Sequence, residues 1–177
     1  MSKKEWGDQG PQNRKTPAWD LDSQTLAVRA GQLRSGFGET SEAIFLNSGF
    51  TYASAEQAEG AFAEEIDHYL YSRFHNPTVS MFENRLATLE GADQCLATSS
   101  GMSAMFMSIA CLVSAGDRVV ASAAMFSSCH VVLTEILPKW GVQVELVKSD
   151  NEAAWKAALS KPTKVVFIET PSNPLMD

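Results

Sequence analysis

The fold of this chain follows from residues 116–147, which read GDRVVASAAMFSSCHVVLTEILPKWGVQVELV. Residues 117–121, which include Val119 and Val120, predict a strand. An amphipathic segment at 127–140 predicts a helix, and residues 142–147, in which apolar and polar side chains alternate, predict another strand. Gly116 and Gly141 stand before the two strands, where glycine often ends the preceding helix. A strand, a helix and a strand joined by short turns predict two parallel strands with the helix packed on one face.

The same alternation continues on both sides of this stretch. We predict further strands at 94–98 and 164–168, and further helices at 102–113 and 152–159. Nearer the N-terminus we predict helices at 22–31, 53–65 and 79–91, and Pro77 suits the first turn of the third. These elements predict an α/β protein whose mostly parallel sheet carries helices on both faces. Ligands of such sheets bind beyond the carboxyl ends of the strands.

The composition narrows the classes of function. Hydrophobic residues make up 45% of the 177 residues, and the formal net charge is −7. No basic patch is visible, so we predict no nucleic-acid partner. No apolar run reaches the length of a membrane span and the N-terminus lacks an apolar signal region, so we predict a cytoplasmic protein without a membrane partner. Without CxxC or HxxxH spacing, the three cysteines and three histidines predict buried thiols and no metal site.

Residues 99–104, SSGMSA, lie where a predicted strand gives way to a helix. A glycine at this place lets an anion approach the backbone closely, and the first N–H groups of a helix are free to bind a phosphate. The alternative is an ordinary turn whose helix is capped by serine. The chain contains neither GxxxxGK[ST] nor GxGxxG, so this pattern disfavours a nucleoside triphosphate or a dinucleotide.

Residues 71–78, YSRFHNPT, form a second candidate segment. The residue before a proline is kept extended, so we predict a loop in which Tyr71 and Arg73 project to the same side. An arginine and a tyrosine can both donate hydrogen bonds to one phosphate group. The alternative is a surface arginine in a salt bridge.

Two further residues stand at predicted strand ends. Phe126 precedes the helix at 127–140, where its ring could stack on a planar cofactor or simply join the core. Asn173 lies between Pro171 and Pro174 in the segment ETPSNP, 169–174. The two prolines hold Asn173 for a hydrogen bond to a ligand, or form a rigid turn with a local bond.

In this order and spacing, the segments around Tyr71, Gly101, Phe126 and Asn173 resemble the pyridoxal-phosphate enzymes of cysteine and methionine metabolism, the cystathionine γ-synthase-like family. The resemblance runs from about Thr25 to Pro174. It implies the fold type I of pyridoxal-phosphate-dependent transferases, pyridoxal 5'-phosphate (PLP) as cofactor, and a homotetramer. It also implies that residues 1–57 form an arm that contacts a neighbouring subunit, and that residues 58–177 begin the cofactor-binding large domain.

The resemblance assigns a role to each candidate residue. Tyr71 and Arg73 would reach the cofactor phosphate of the neighbouring subunit, whereas the backbone N–H groups of Gly101 and Met102 would bind the phosphate from within. Phe126 would stack on the pyridine ring, in place of the tyrosine that is commonest there. Asn173 would contact the cofactor oxygen and the region of the substrate carboxylate. The Schiff-base lysine is expected beyond Asp177, so we expect no catalytic residue within these 177 residues and no activity from them alone.

The segments 25–32, TLAVRAGQ, and 41–46, SEAIFL, are most similar to the sulfhydrylase branch of the family. The implied reaction is γ-replacement on O-succinyl-homoserine, or O-acetyl-homoserine, by sulfide to give homocysteine for methionine biosynthesis. Three alternatives remain open: cystathionine synthesis with cysteine as acceptor, γ-elimination by a lyase, and a truncated chain that is inactive or serves as an assembly partner.

Overall fold

A computed structural model describes residues 21–174 and residue 176. The flexible arm predicted for residues 1–20 lies outside the described residues. The chain divides into two compact units between Ala97 and Thr98. The predicted division into an arm at 1–57 and a domain at 58–177 refers to subunit contacts and stays a prediction.

The described part of the first unit, residues 21–97, contains three helices: α1 (Ser23–Arg29), α2 (Ala55–Phe62) and α3 (Pro77–Glu90). Each begins at a residue whose side chain accepts a backbone N–H of the first turn, namely Asp22, Ser54 and Asn76. Pro77 is the first residue of α3, as predicted, because that position needs no N–H donor. The three predicted helices are confirmed with slightly shifted ends.

Helix α1 packs closely on α3 through Gly31. The backbone there has φ +72°, and a Cβ atom would lie 2.9 Å from Arg85 N, Asn84 Cβ and Met81 O. Only glycine tolerates both the conformation and the approach. The guanidinium of Arg85 then donates to Ala30 O at 3.0 Å, which ties the end of α1 to α3.

The second unit is built on a sheet of three parallel strands, in the spatial order β2-β1-β3. The strands are β1 (Arg118–Ser122), β2 (Gln143–Val147) and β3 (Val165–Phe167), and the helices of this unit are α4 (Gly101–Ala110), α5 (Ser127–Val131) and α6 (Glu152–Leu159). In register, Val120 lies between Glu145 and Val166. The predicted parallel sheet is therefore confirmed.

Helices cover both faces of this sheet because successive side chains of β1 point in opposite directions. Val119 and Ala121 face a core that includes Ile109 of α4 and the buried Leu133. Val120 faces the other way and packs in a smaller cluster with Ala158 of α6. The predicted α/β arrangement of helices on both faces is confirmed.

The strand predicted at 94–98 is wrong. A strand needs a neighbour with which to exchange backbone hydrogen bonds, and no strand pairs with 94–98 within residues 21–174. The N–H of Ala97 instead donates to Oε1 of Glu83 at 2.7 Å. The motif at 99–104 therefore follows an unpaired segment and not a sheet strand.

The helix predicted at 127–140 exists but changes its winding twice. After α5, residues Val132–Ile136 form a π-helical turn and Leu137–Trp140 a 3₁₀ turn. The N–H of Leu137 reaches Val132 O, a five-residue separation. Pro138 has no N–H to donate and its ring crowds the carbonyl of residue 134, so the regular winding cannot continue.

Candidate functional site

The topology brings the ends of β1 and β3 together. Right-handed crossovers place the connection from β1 to β2 on one face of the sheet and that from β2 to β3 on the other. The strand order therefore reverses beside β1, and in open α/β sheets ligands bind at the carboxyl ends of the strands where the order reverses. Phe126 follows β1 and Asn173 follows β3, so the fold places both predicted residues at this edge.

The N-terminus of α4 offers two free backbone donors. Oγ and the carbonyl oxygen of Ser100 accept the N–H groups of Ser103 at 3.1 Å and Ala104 at 3.0 Å. The N–H groups of Gly101 and Met102 have no acceptor in the described part of the chain. A Cβ at Gly101 would meet nothing within 4 Å, so the space before these donors is open. Free N–H groups at the positive end of a ten-residue helix suit a phosphate.

A cavity of about 510 Å³ extends from this helix end toward α5 and the π-helical turn. It is mainly apolar, and its lining residues are Ser100, Met102, Ser103, Phe106, Ser128, Val131, Val132 and Ile136. Phe126 and Asn173 do not line it. The helix end thus adjoins a space large enough for a small organic group.

A single carboxylate joins the two residues at the sheet edge. Oε2 of Glu169 accepts the N–H of Phe126 at 2.9 Å, and Oε1 accepts the N–H of Asn173 at 2.9 Å. The ring of Phe126 is 41% exposed, so its alternative assignment to the core is wrong. Glu169 is the first residue of the segment ETPSNP, but the sequence analysis assigned it no role. Its position just after β3 was the signal that could have indicated a functional residue.

Glu169 also acts on a neighbouring thiol. Burial, and to a smaller extent the negative charge of Glu169, raise the pKa of Cys129 above its ordinary value. The thiol therefore stays protonated at neutral pH. The prediction of buried thiols is confirmed for Cys129 but is wrong for Cys111, which is exposed, and Cys95 is intermediate.

In the first unit, the segment that carries the predicted phosphate ligands Tyr71 and Arg73, here called the fork, adopts a turn. Tyr71 forms an antiparallel bridge with Gly49, and its carbonyl oxygen accepts the N–H groups of Phe74 and His75. The predicted extended course of Tyr71 to Arg73 is therefore wrong, because these bonds bend the backbone. The guanidinium carbon of Arg73 nevertheless lies 5.2 Å from the centre of the Tyr71 ring and 5.1 Å from that of Phe74. The two residues of the fork are thus neighbours.

The salt-bridge alternative for Arg73 finds no support within residues 21–174. Arg85 pairs with Glu42 and Arg118 with Glu145, whereas Arg73 forms no pair with a carboxylate. Its contacts with two aromatic faces leave the guanidinium N–H groups available to an anion.

Asn76 anchors the loop that carries this fork. It is 6% exposed, and its amide donates to Phe45 O and to Ser72 Oγ, both at 3.0 Å. Its oxygen accepts the N–H of Thr78 at 2.8 Å and so caps α3. Oγ1 of Thr78 in turn accepts the N–H of Phe45 at 2.9 Å. One buried side chain thus ties the loop both to α3 and to the preceding segment.

The donors fit a phosphorylated aromatic cofactor chemically. Backbone amides and a guanidinium suit a phosphate dianion, and an exposed phenylalanine ring at a strand end suits a planar heterocycle. Within residues 21–174 and 176, no three histidine, cysteine or acidic side chains come together as a metal site would require. The same residues contain no helix with the length and apolarity of a membrane span.

Comparison with known proteins supports this assignment. The family model of the Cys/Met metabolism PLP-dependent enzymes matches residues 24–177. An O-succinylhomoserine sulfhydrylase of Mycobacterium tuberculosis is 57% identical over 155 residues, which are 88% of this chain and 38% of that protein. One of Pseudomonas aeruginosa is 43% identical over 172 residues, covering 92% of this chain and 43% of that protein. The chain therefore spans about two-fifths of the length of these curated relatives.

A solved structure with a similar fold supports the same family. The fold is similar to a putative O-acetylhomoserine (thiol)-lyase of Campylobacter jejuni, with a TM-score of 0.82, 26% identity, and coverage of 89% of this chain and 39% of that one. That protein carries a pyridoxyl-lysine phosphate. With the family model matched along most of its length, this chain belongs to the Cys/Met metabolism PLP-dependent enzymes.

Proposed function

We propose that the protein binds PLP at the edge of the sheet described above. The N–H groups of Gly101 and Met102 hold the phosphate, and the ring of Phe126 stacks on the pyridine. Asn173 donates to a cofactor oxygen. Tyr71 and Arg73 complete the phosphate site of a neighbouring subunit. The two free N–H groups at the N-terminus of α4 are the observation that carries this proposal, because a phosphate is the ligand such a helix end prefers.

The residues of this chain bind the cofactor and orient it. Bound PLP supplies an electron sink for carbanion chemistry. Phe126 has no hydroxyl, so it neither gives nor takes a proton, and its part is to cover one face of the ring. Arg73 adds a permanent positive charge and planar donors to the phosphate, which sets the direction in which the cofactor lies.

We further propose the reaction of the sulfhydrylase branch. The γ-carbon of O-succinyl-homoserine, or of O-acetyl-homoserine, loses its acyloxy group and gains sulfide, so that the products are homocysteine and succinate or acetate. The two relatives named as O-succinylhomoserine sulfhydrylases support this choice of donor and acceptor. Cysteine as acceptor, or elimination without an acceptor, would give cystathionine or 2-oxobutyrate instead.

A homotetramer is the proposed assembly, with residues 1–57 as the arm that contacts a neighbouring subunit. Large apolar side chains of the first unit support it: Leu46 is 94% exposed and Ile44 is 73% exposed. Exposed apolar side chains clustered in one stretch of chain favour a protein partner. The cytoplasmic location stays a prediction.

The experiment that tests the cofactor is equilibrium titration of the purified apoprotein with PLP, followed by absorbance and by circular dichroism of the bound cofactor. Arg73→Gln is the test variant and Arg29→Gln its control, because the guanidinium of Arg29 in the same unit donates to Thr40 O and to no other acceptor among the described residues. Hydrogen bonds to charged groups contribute about 1.5–3 kcal/mol, so the Kd for PLP should rise roughly 10- to 100-fold in Arg73→Gln alone.

The assay of the reaction uses the whole subunit with the expected Schiff-base lysine, because residues 1–177 alone should form no product. Product is followed by mass spectrometry with each acyl donor, with sulfide, with cysteine and without acceptor. Homocysteine formed fastest with sulfide is the expected result. Cystathionine from cysteine, or 2-oxobutyrate without acceptor, would replace the proposed reaction by another of the same family. A protein that binds no PLP would contradict the cofactor site itself.

A further inference from the structure

We propose that Glu169 is a positioning residue that holds Phe126 and Asn173 in place at the cofactor site. The inference rests on the proposed PLP site, and it adds a residue to which the family resemblance assigned no role. Its carboxylate links the ends of two adjacent strands, and each of its oxygens accepts one backbone N–H.

The two hydrogen bonds of Glu169 connect the start of α5 to the loop after β3. Phe126 is the residue at which α5 begins, and no side chain within α5 caps that end. Asn173 lies in the loop after β3, four residues beyond Glu169. Two bonds of 2.9 Å from one carboxylate therefore fix the distance between the start of α5 and the loop. Hydrogen bonds to an ionised acceptor are about twice as strong as neutral ones.

Packing does not hold these two residues by itself. The ring of Phe126 is partly exposed and Asn173 is exposed, so their side chains have few neighbours that would set their directions. In residues 21–174, Glu169 forms no ion pair with a lysine, arginine or histidine. Its carboxylate therefore interacts with the two backbone amides and with no cationic side chain of this range.

Glu169→Gln is the decisive variant. Glutamine has the same length, but one of its two terminal atoms is an NH₂ group that donates and cannot accept. One of the two N–H groups must then lose its partner. Amide hydrogen exchange of the protein without cofactor should show at least tenfold faster exchange at Phe126, at Asn173 or at both. Glu169→Asp keeps two acceptor oxygens on a shorter chain, so its exchange should lie between that of Glu169→Gln and the wild type.

Glu145→Gln is the matched control. Glu145 is also a carboxylate of the second unit, but it pairs with Arg118 within the sheet and touches neither candidate residue. Both glutamine variants are compared at equal folded fraction, measured by far-ultraviolet circular dichroism. Only Glu169→Gln should weaken PLP binding by about tenfold and reduce the circular dichroism of the bound cofactor, because that signal reports how rigidly the ring is held.

Each outcome has one reading. Unchanged amide exchange at Phe126 and Asn173 in Glu169→Gln would overturn the claim that Glu169 holds these two N–H groups. Faster exchange together with wild-type PLP affinity and wild-type circular dichroism would overturn its positioning role. A wild-type protein that binds no PLP overturns the proposed function, whereas the exchange data still decide whether Glu169 holds the two amides.

Discussion

Replacing Asn76 by alanine should destabilise the loop of Tyr71 and Arg73 far more than loss of a helix cap would. The side chain is buried, caps α3, and also donates to Phe45 O and Ser72 Oγ. A cap contributes about 1 kcal/mol, and each further hydrogen bond about 1 kcal/mol. The expected cost of Asn76→Ala is therefore about 3 kcal/mol.

Asn151 provides the matched control. It caps α6 by accepting the N–H of Ala154 at 3.0 Å, and it is exposed with no second hydrogen bond from its side chain among the described residues. Asn151→Ala should cost only about 1 kcal/mol. A third variant, Asn76→Asp, keeps an oxygen for the cap but cannot donate, and it places a charge beside Phe45 O. It should therefore cost at least about 2 kcal/mol, the contribution of the two tethering bonds.

Native-state amide exchange is the suitable assay because the two asparagines lie in different units. The opening free energies of α3 and α6 are measured separately, each in its own variant. The difference of about 2 kcal/mol corresponds to roughly a 30-fold change in the opening equilibrium. A loss in Asn76→Ala no larger than that in Asn151→Ala would refute the argument that the tethers, and not the cap, hold the loop.

Three further outcomes follow from burial and titration. Leu133→Ala should cost roughly 3–5 kcal/mol in urea unfolding, because Leu133 is fully buried, whereas Leu159→Ala, at a half-exposed site, should cost less than about 1 kcal/mol. Burial raises the pKa of Tyr69 above its ordinary value of 10.0, so stability present below that pH should fall as the pH rises through the folded-state pKa, and Tyr69→Phe should fall less. Cys111 should react with a thiol reagent well before Cys129, whose protonated thiol is buried, and equal rates of labelling would contradict this order.

Much of the second unit could be predicted because its signals are local. The apolar runs of β1 and β2 and the caps at Ser100 and Asn151 depend on residues within one turn or strand of each other. Parallel pairing then follows from the short connections. The candidate donors at Gly101 and Met102 were found for the same reason, since a helix start exposes its own N–H groups whatever surrounds it.

Other features escaped prediction because they depend on partners distant in sequence. Residues 94–98 have the apolar character of a strand, yet a strand exists only where a neighbour completes its hydrogen bonds. Arg73 could be read as a salt-bridge residue until the rings of Tyr71 and Phe74 were seen beside it. The π-helical turn arose from Pro138, a local signal whose consequence depended on how the helix packs.

The sequence by itself determined the strand–helix alternation and the helix starts, because short-range sterics and hydrogen bonding specify them. It also named Gly101, Met102 and Phe126 as candidates for binding a phosphate and a ring. Only the tertiary structure decided that Glu169 joins Phe126 to Asn173 and that Asn76 ties the fork loop to Phe45. The physical reason is that a side-chain hydrogen bond between residues 43 or 31 positions apart has no periodic signature in the chain. It forms only after the sheet and helices have brought its two partners within about 3 Å of each other.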